Sequence, residues 1–161
     1  MIRVENLTKI YKTKRREFSK ALDNISFTLP DKGLVFVIGK SGSGKSTLLN
    51  LIGGLDKITG GDICCFGNSL AKMSTRDLED YRNTLVGFIF QDFHLIDDLT
   101  VYDNIRLALD LQDVTNEAAI GEALASVGLK GYGNRYPTEI SGGEKQRVAI
   151  ARALVKNPKV I

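Results

Sequence analysis

The stretch Gly39-Lys40-Ser41-Gly42-Ser43-Gly44-Lys45-Ser46 constrains this chain more than any other. Glycines this dense interrupt regular structure, because glycine loses more backbone freedom on ordering than any other residue. Its flanks are the reverse. Leu34-Val-Phe-Val-Ile38 is a continuous apolar run of the kind found in strands covered on both faces, and Ser46 to Ile52 resumes with helix-compatible apolar positions before Gly53-Gly54 stops it. Strand, glycine loop and helix in that order match G-x-x-x-x-G-K-[ST], the P-loop. In such a loop consecutive backbone N–H groups turn inward around phosphate oxygens, and the helix starting near Ser46 adds its positive dipole end. Lys45 then reaches the β- and γ-phosphates, and the Ser46 hydroxyl is a ligand for Mg²⁺. Gly39, Lys40, Ser41, Gly42, Ser43, Gly44 and Thr47 complete the expected nucleotide site, in an α/β P-loop NTPase core.

The rest of the chain narrows the alternatives. At 161 residues, 43% hydrophobic and 25% charged, it is sized and composed as one globular domain. No apolar run approaches the roughly 18–20 residues of a membrane span, and the N-terminus lacks the pattern of a secretory leader. The net charge of +3 conceals a basic stretch: Arg3, Lys9, Lys12, Lys14, Arg15, Arg16 and Lys20 face only Glu5 and Glu17. A basic stretch can meet nucleic acid, anionic lipid or a nucleotide's phosphates, but the plainer reading is a solvated connection between two strands, Ile2–Leu7 and Leu22–Leu29, which form an antiparallel opening. Cys64 and Cys65 are adjacent, poor geometry for a disulfide or a zinc site, and His94 is the single histidine, so a zinc hydrolase is excluded.

Further along, residues 60–67 read as a short strand and Ser74 as the cap of a helix running to about Thr84. Residues 85–90 read as a second buried strand ending at Gln91. From Thr100 to Val127 the pattern is helical, with Val101, Ile105 and Leu109 on one face, a break near Asp113–Thr115, and Gly128 placed to end the second helix. Ser141 signals a last helix to Val155, stopped by Asn157-Pro158, and Lys159–Ile161 reads as the beginning of another buried strand.

Ile140-Ser-Gly-Gly-Glu-Lys-Gln-Arg-Val-Ala-Ile-Ala-Arg-Ala-Leu154 resembles the signature of the ATP-binding cassette (ABC) family, written LSGGQ with a trailing QR-x-x-I-A-R-A-L, with departures at Ile140 and Glu144. Physically, Ser141 caps a helix whose first turn holds Gly142 and Gly143, a second helix N-terminus suited to an anion. The resemblance implies that Ser141, Gly142, Gly143 and Glu144 contact nucleotide. It also implies that Gln91 is the Q-loop glutamine approaching Mg²⁺ and the attacking water, and that Tyr11 stacks on adenine. His94 does not match the family's catalytic histidine.

The implied architecture is an N-terminal antiparallel β subdomain, the P-loop core, and a helical subdomain over about residues 92–140. The whole, 1–161, corresponds to the N-terminal portion of a cassette. The family's next elements, an aspartate-ended strand, a catalytic glutamate, a D-loop and a switch histidine, are not found. The chain alone is therefore expected to bind ATP weakly and to hydrolyse it negligibly. The implied function is the ATP-binding subunit of a bacterial ABC transporter, with ATP and Mg²⁺ as ligands. Its implied partners are a second cassette arranged head to tail and a transmembrane permease, with no membrane insertion of its own. It would lie in the cytoplasm, peripheral on the inner face of the membrane. The wording at Gly54–Gly61 and Val86–Ile96 resembles the lipoprotein-release and macrolide-exporter branch, which favours export. The alternatives are a soluble ABC-type ATPase acting on nucleic acid or ribosomes, for which the chain has no room for tandem cassettes, and a small-molecule kinase, which leaves Ser141–Leu154 unexplained.

Overall fold

The computed structural model describes residues 1–12, 17–112, 114 and 116–161. Lys14, Arg15 and Arg16 of the basic stretch, and Asp113 and Thr115 of the expected helix break, lie outside the described residues. The chain divides into two compact units, Met1–Asp80 and Tyr81–Ile161.

The first unit is built on an antiparallel sheet ordered β2-β1-β3-β4, with β1 at Ile2–Lys12, β2 at Phe18–Leu29, β3 at Gly60–Cys65 and β4 at Asn68–Ser69. Ile2 and Val4 point into the core at period two, and Leu7 breaks that phase yet is also buried. A bulge resolves the conflict: Asn6 sits at φ 48° and the register of β1 against β2 shifts between Val4 and Leu7. Gly61 lies so close opposite that an added Cβ would come within 2.2 Å of the Asn6 carbonyl oxygen. The helix α1, Lys45–Ile52, packs against β2 and β3 and buries Leu48, Leu51 and Ile52. Each such leucine contributes roughly 1.5–3 kcal/mol of burial. Cys64 and Cys65 lie in β3, and neither is in a disulfide among the described residues.

In the second unit three helices share one core: α3 (Val101–Asp110), α4 (Glu117–Ser126) and α5 (Gly142–Leu154). Val101, Ile105 and Leu109 form the expected stripe, joined by Ile120, Leu124, Val148 and Ala151. Thr100 caps α3 by accepting from the Asp103 N–H. Gly128, at φ 74°, ends α4 as expected: its N–H bonds to Ala125 O, and the Leu129 N–H reaches back to Leu124 O. The helix α2, Thr75–Thr84, runs from Ser74, whose Oγ accepts from the Asp77 N–H while Asp77 accepts from the Ser74 N–H. No described helix is long and apolar enough to cross a membrane.

Two expected strands are corrected. Residues 34–38 belong to no described strand, and Leu34, Phe36 and Ile38 are 78%, 76% and 88% exposed. An interior strand needs partners along both edges for its N–H and C=O groups, and the only sheet among the described residues is the antiparallel one. Residues 85–90 likewise reduce to a single parallel bridge, Val86 to Val160, where Gly87 N–H donates to Val160 O and Val160 N–H to Leu85 O. Lys159–Ile161, expected to begin a buried strand, contributes only this bridge at Val160, and Lys159 and Ile161 are exposed.

Candidate functional site

In the first unit, α1 begins at Lys45 with Gly44 as its N-cap, one residue before the expected start. Gly42 and Gly44 have φ of 77° and 88°, a region that disfavours any side chain with a Cβ. Space is also limiting. A Cβ on Gly39 would come within 2.8 Å of Ser43 Oγ, and one on Gly44 within 2.6 Å of the Ala21 carbonyl oxygen. No side chain caps the helix and no acidic residue stands in its first turn, so its positive end carries no compensating charge. Lys45 folds back over the loop and donates from Nζ to the carbonyls of Gly39 and Lys40 at 2.9 and 2.7 Å. Its ammonium thus stands over the loop itself, and the next residue, Ser46, is exposed. Backbone donors, an ammonium and a hydroxyl in this order fit a Mg²⁺-bound polyphosphate chain.

The same unit carries a cluster that the sequence reading did not identify. Lys9 is 7% exposed, and its Nζ donates to Asp56 Oδ1 at 2.6 Å and to the Lys57 carbonyl at 2.7 Å. The Tyr11 hydroxyl donates to Asp56 Oδ2 at 2.7 Å. Burial alone would raise the Asp56 carboxyl, but hydrogen bonds from Lys9, Tyr11 and the Lys57 N–H together hold it below the ordinary carboxylate range. Burial and the bond to Asp56 push the Tyr11 phenol up. A signal was present: Lys9 is in phase with buried Leu7, a cation on the inner face of a strand.

In the second unit Gln91 is an exposed turn residue directly after the 85–90 segment. The chain beyond it is clamped twice. Phe93 and His94 both adopt positive φ, 58° and 48°, and Arg152 near the end of α5 donates to their carbonyls from Nη2 and Nη1, each at 2.6 Å. His94 also packs edge-on against Phe90, with ring centroids 4.9 Å apart. Buried Asn104 on α3 then grips the following turn. Its Nδ2 donates to the carbonyls of Ile96, Leu99 and Thr100, and its Oδ1 accepts from the Ile96 N–H. A polar residue on the apolar stripe of α3 was the readable sign of this second clamp.

At the start of α5, Ser141 is the N-cap as expected, and Glu144 completes a capping box by accepting from the Ser141 N–H at 2.7 Å. Glu144 Oε1 also accepts from the Tyr132 hydroxyl at 2.8 Å. The Ser141 backbone N–H, the Ser141 hydroxyl and the Tyr132 hydroxyl hold the Glu144 carboxyl down to about 2. The departure to Glu144 therefore has a local role. Gly142 and Gly143 do not: a Cβ on Gly142 would meet nothing within 4 Å, and one on Gly143 only Arg147 Nη1 at 3.9 Å.

Both stretches lie within the part of the chain that resembles one known family. A family profile described as ABC transporter matches residues 22–161. The chain is 46% identical over 164 aligned positions to the methionine import ATP-binding protein MetN of Desulfitobacterium hafniense, covering 100% of this chain and 48% of that protein. It is 43% identical over 155 positions to the lipoprotein-releasing system ATP-binding protein LolD of Blochmanniella floridana, covering 92% and 66%. The chain thus spans about half to two thirds of these relatives. Among solved structures, the dimeric MJ0796, described as a bacterial ABC transporter cassette, superposes with a TM-score of 0.88 at 38% identity, over 98% of this chain and 71% of that one. A second structure of that cassette, bound to ADP and Pi in a post-hydrolysis state, superposes equally well at 37% identity.

Proposed function

The chain belongs to the ABC transporter family, and from that premise we propose that it is the ATP-binding part of a membrane transporter, coupling ATP binding and hydrolysis to transport. The observation that carries the proposal is the loop at the uncapped N-terminus of α1, closed to any side chain at Gly44 and overlaid by the Lys45 ammonium. In this reading Gly39–Thr47 hold the phosphates of ATP and Lys45 neutralises their charge. The Ser46 hydroxyl and the Gln91 carbonyl group are ligands for Mg²⁺, and Gln91 also orients the attacking water. Mg²⁺, when bound, withdraws charge from the phosphate oxygens that part during hydrolysis.

Ser141, Gly142, Gly143 and Glu144 act on the nucleotide of a second cassette, arranged head to tail by two-fold symmetry. A neighbour that is itself described as dimeric supports this arrangement. The segment after Gln91 docks a transmembrane permease, which places the subunit peripherally on the inner face of the membrane. Relatives named for methionine import and for lipoprotein release stand at nearly equal identity. What the chain shares with both is the handling of ATP, and the cargo lies with the permease.

Lys45→Ala tests the reading directly: Mg-ATP affinity measured by calorimetry should be lost while the circular dichroism spectrum is retained, and wild-type affinity in the variant would refute it. Ser141→Arg should keep nucleotide binding but abolish ATP-dependent association measured by light scattering. Crosslinking from position 96 in cells should capture a membrane permease; capture of RNA or DNA instead would refute the transporter assignment.

A further inference from the structure

Asp56 lies outside the phosphate loop, yet it connects that loop's neighbourhood to Tyr11. Lys9 and Tyr11 are two residues apart on β1 and so share a face. The Lys9 Nζ stands 4.7 Å from the Tyr11 ring centroid. The phenol oxygen donates to Asp56 Oδ2 at 2.7 Å, and the Thr47 side chain in the first turn of α1 works against the upward push on its pKa. Each carboxylate oxygen of Asp56 has its own donor, Lys9 and the Lys57 N–H on Oδ1 and Tyr11 on Oδ2. A tyrosine packing a strand edge needs no such restraint. Here both the oxygen and one side of the ring are fixed while the residue stays 38% exposed.

We propose that Asp56, braced by buried Lys9, is a positioning residue that docks Tyr11 beside the P-loop helix and presents its exposed ring to the base of the bound nucleotide. The inference rests on the nucleotide-binding reading above and deepens it. Part of the affinity for the base comes from holding the ring still before binding, since ordering a free side chain on binding reduces affinity. Triphosphate lacking a base gains nothing from Asp56.

The test compares Mg-ATP with Mg-tripolyphosphate by calorimetry on the 161-residue chain. Tyr11→Ala should weaken ATP about fivefold or more, the range for removing one base–aromatic stack, and leave tripolyphosphate unchanged. Asp56→Asn and Tyr11→Phe should each weaken ATP about threefold through lost pre-organisation, again sparing tripolyphosphate, and the double variant should lose no more than either alone. Tyr11→Phe keeps the Lys9–Asp56 pair intact, so it decides the question if Asp56→Asn fails to fold. Wild-type ATP affinity in Tyr11→Phe and Asp56→Asn, with a loss in Tyr11→Ala, would overturn the positioning role and leave the base contact standing. No loss in Tyr11→Ala would overturn the base contact and the inference with it. Equal losses for both ligands would also overturn the inference, by making Asp56 a support of the phosphate loop.

Discussion

Arg152 offers the sharpest test of how the segment after Gln91 is held. Two charge-assisted hydrogen bonds contribute roughly 1.5–3 kcal/mol each, and the half-buried setting of the guanidinium favours the lower figure, about 3 kcal/mol for the pair. Against this, left-handed backbone costs roughly 1–2 kcal/mol per residue, so Phe93 and His94 together store about 2–4 kcal/mol. The two terms are close enough that the turn persists only while Arg152 is present. Arg152→Ala should therefore open residues 90–95 locally, accelerating their amide exchange about a hundredfold at 1.4 kcal/mol per decade. Arg152→Lys, which lacks the fork that reaches two carbonyls at once, should give an intermediate acceleration. Residues 96–100 should remain protected, because Asn104 holds them independently from α3. Hydrogen exchange followed by mass spectrometry resolves the two peptides. Unchanged exchange over 90–95 would refute the clamp, and equal acceleration over 96–100 would refute its independence from Asn104.

Three further outcomes follow from the same geometry. Glu144 has a folded pKa of about 2 against an ordinary 4.5, so the stability it contributes is fully present above 4.5 and is lost as pH falls toward 2; the difference in chemical stability between wild type and Glu144→Gln should shrink over that window, and a difference that stays constant with pH would be incompatible with the capping box. Gly44→Ala meets both a forbidden φ and the Ala21 carbonyl at 2.6 Å, so it should destabilise the chain by more than about 1 kcal/mol in urea unfolding, the scale for strain at such positions. Gly143→Ala meets only Arg147 Nη1 at 3.9 Å, an ordinary contact, so it should raise stability by up to about 1 kcal/mol while weakening ATP-dependent association measured by light scattering; a destabilised monomer would show that the glycine serves this chain's own packing.

Legibility in the sequence followed the range of the interactions. Caps at Ser74 and Ser141 and the stop at Gly128 are contacts within a few residues, and the expected helices lie where the structure has them. Antiparallel pairing of β1 with β2 was legible for a similar reason, since two alternating segments separated by a polar connection have an obvious partner in each other. The 34–38 segment was not, because an apolar run declares that a strand is suited to burial without saying what pairs with it. Lys9 and Arg152 were missed for a related reason. Each bonds to a segment 47 to 59 residues away; the phase of Lys9 with Leu7 points to burial, but no local pattern names the distant partner of either cation.

The glycines show where motif reading stops and structure must continue. In sequence, Gly39, Gly44, Gly142 and Gly143 look alike, small residues in two phosphate-type motifs. In the structure Gly44 is required by the chain itself, through a positive φ and a close approach to the Ala21 carbonyl, while a Cβ on Gly39 would press on the Ser43 hydroxyl, which can turn away. The second pair has ordinary φ and room for a Cβ, so folding alone would favour alanine in that helical turn. A residue that folding does not require and helix propensity disfavours owes its place to something outside the chain. Gly44 thus answers to contacts within this chain, whereas Gly142 and Gly143 leave the N-terminus of α5 open. The proposed pairing of cassettes supplies a surface that approaches it, with Gly142 and Gly143 giving access to that end of α5.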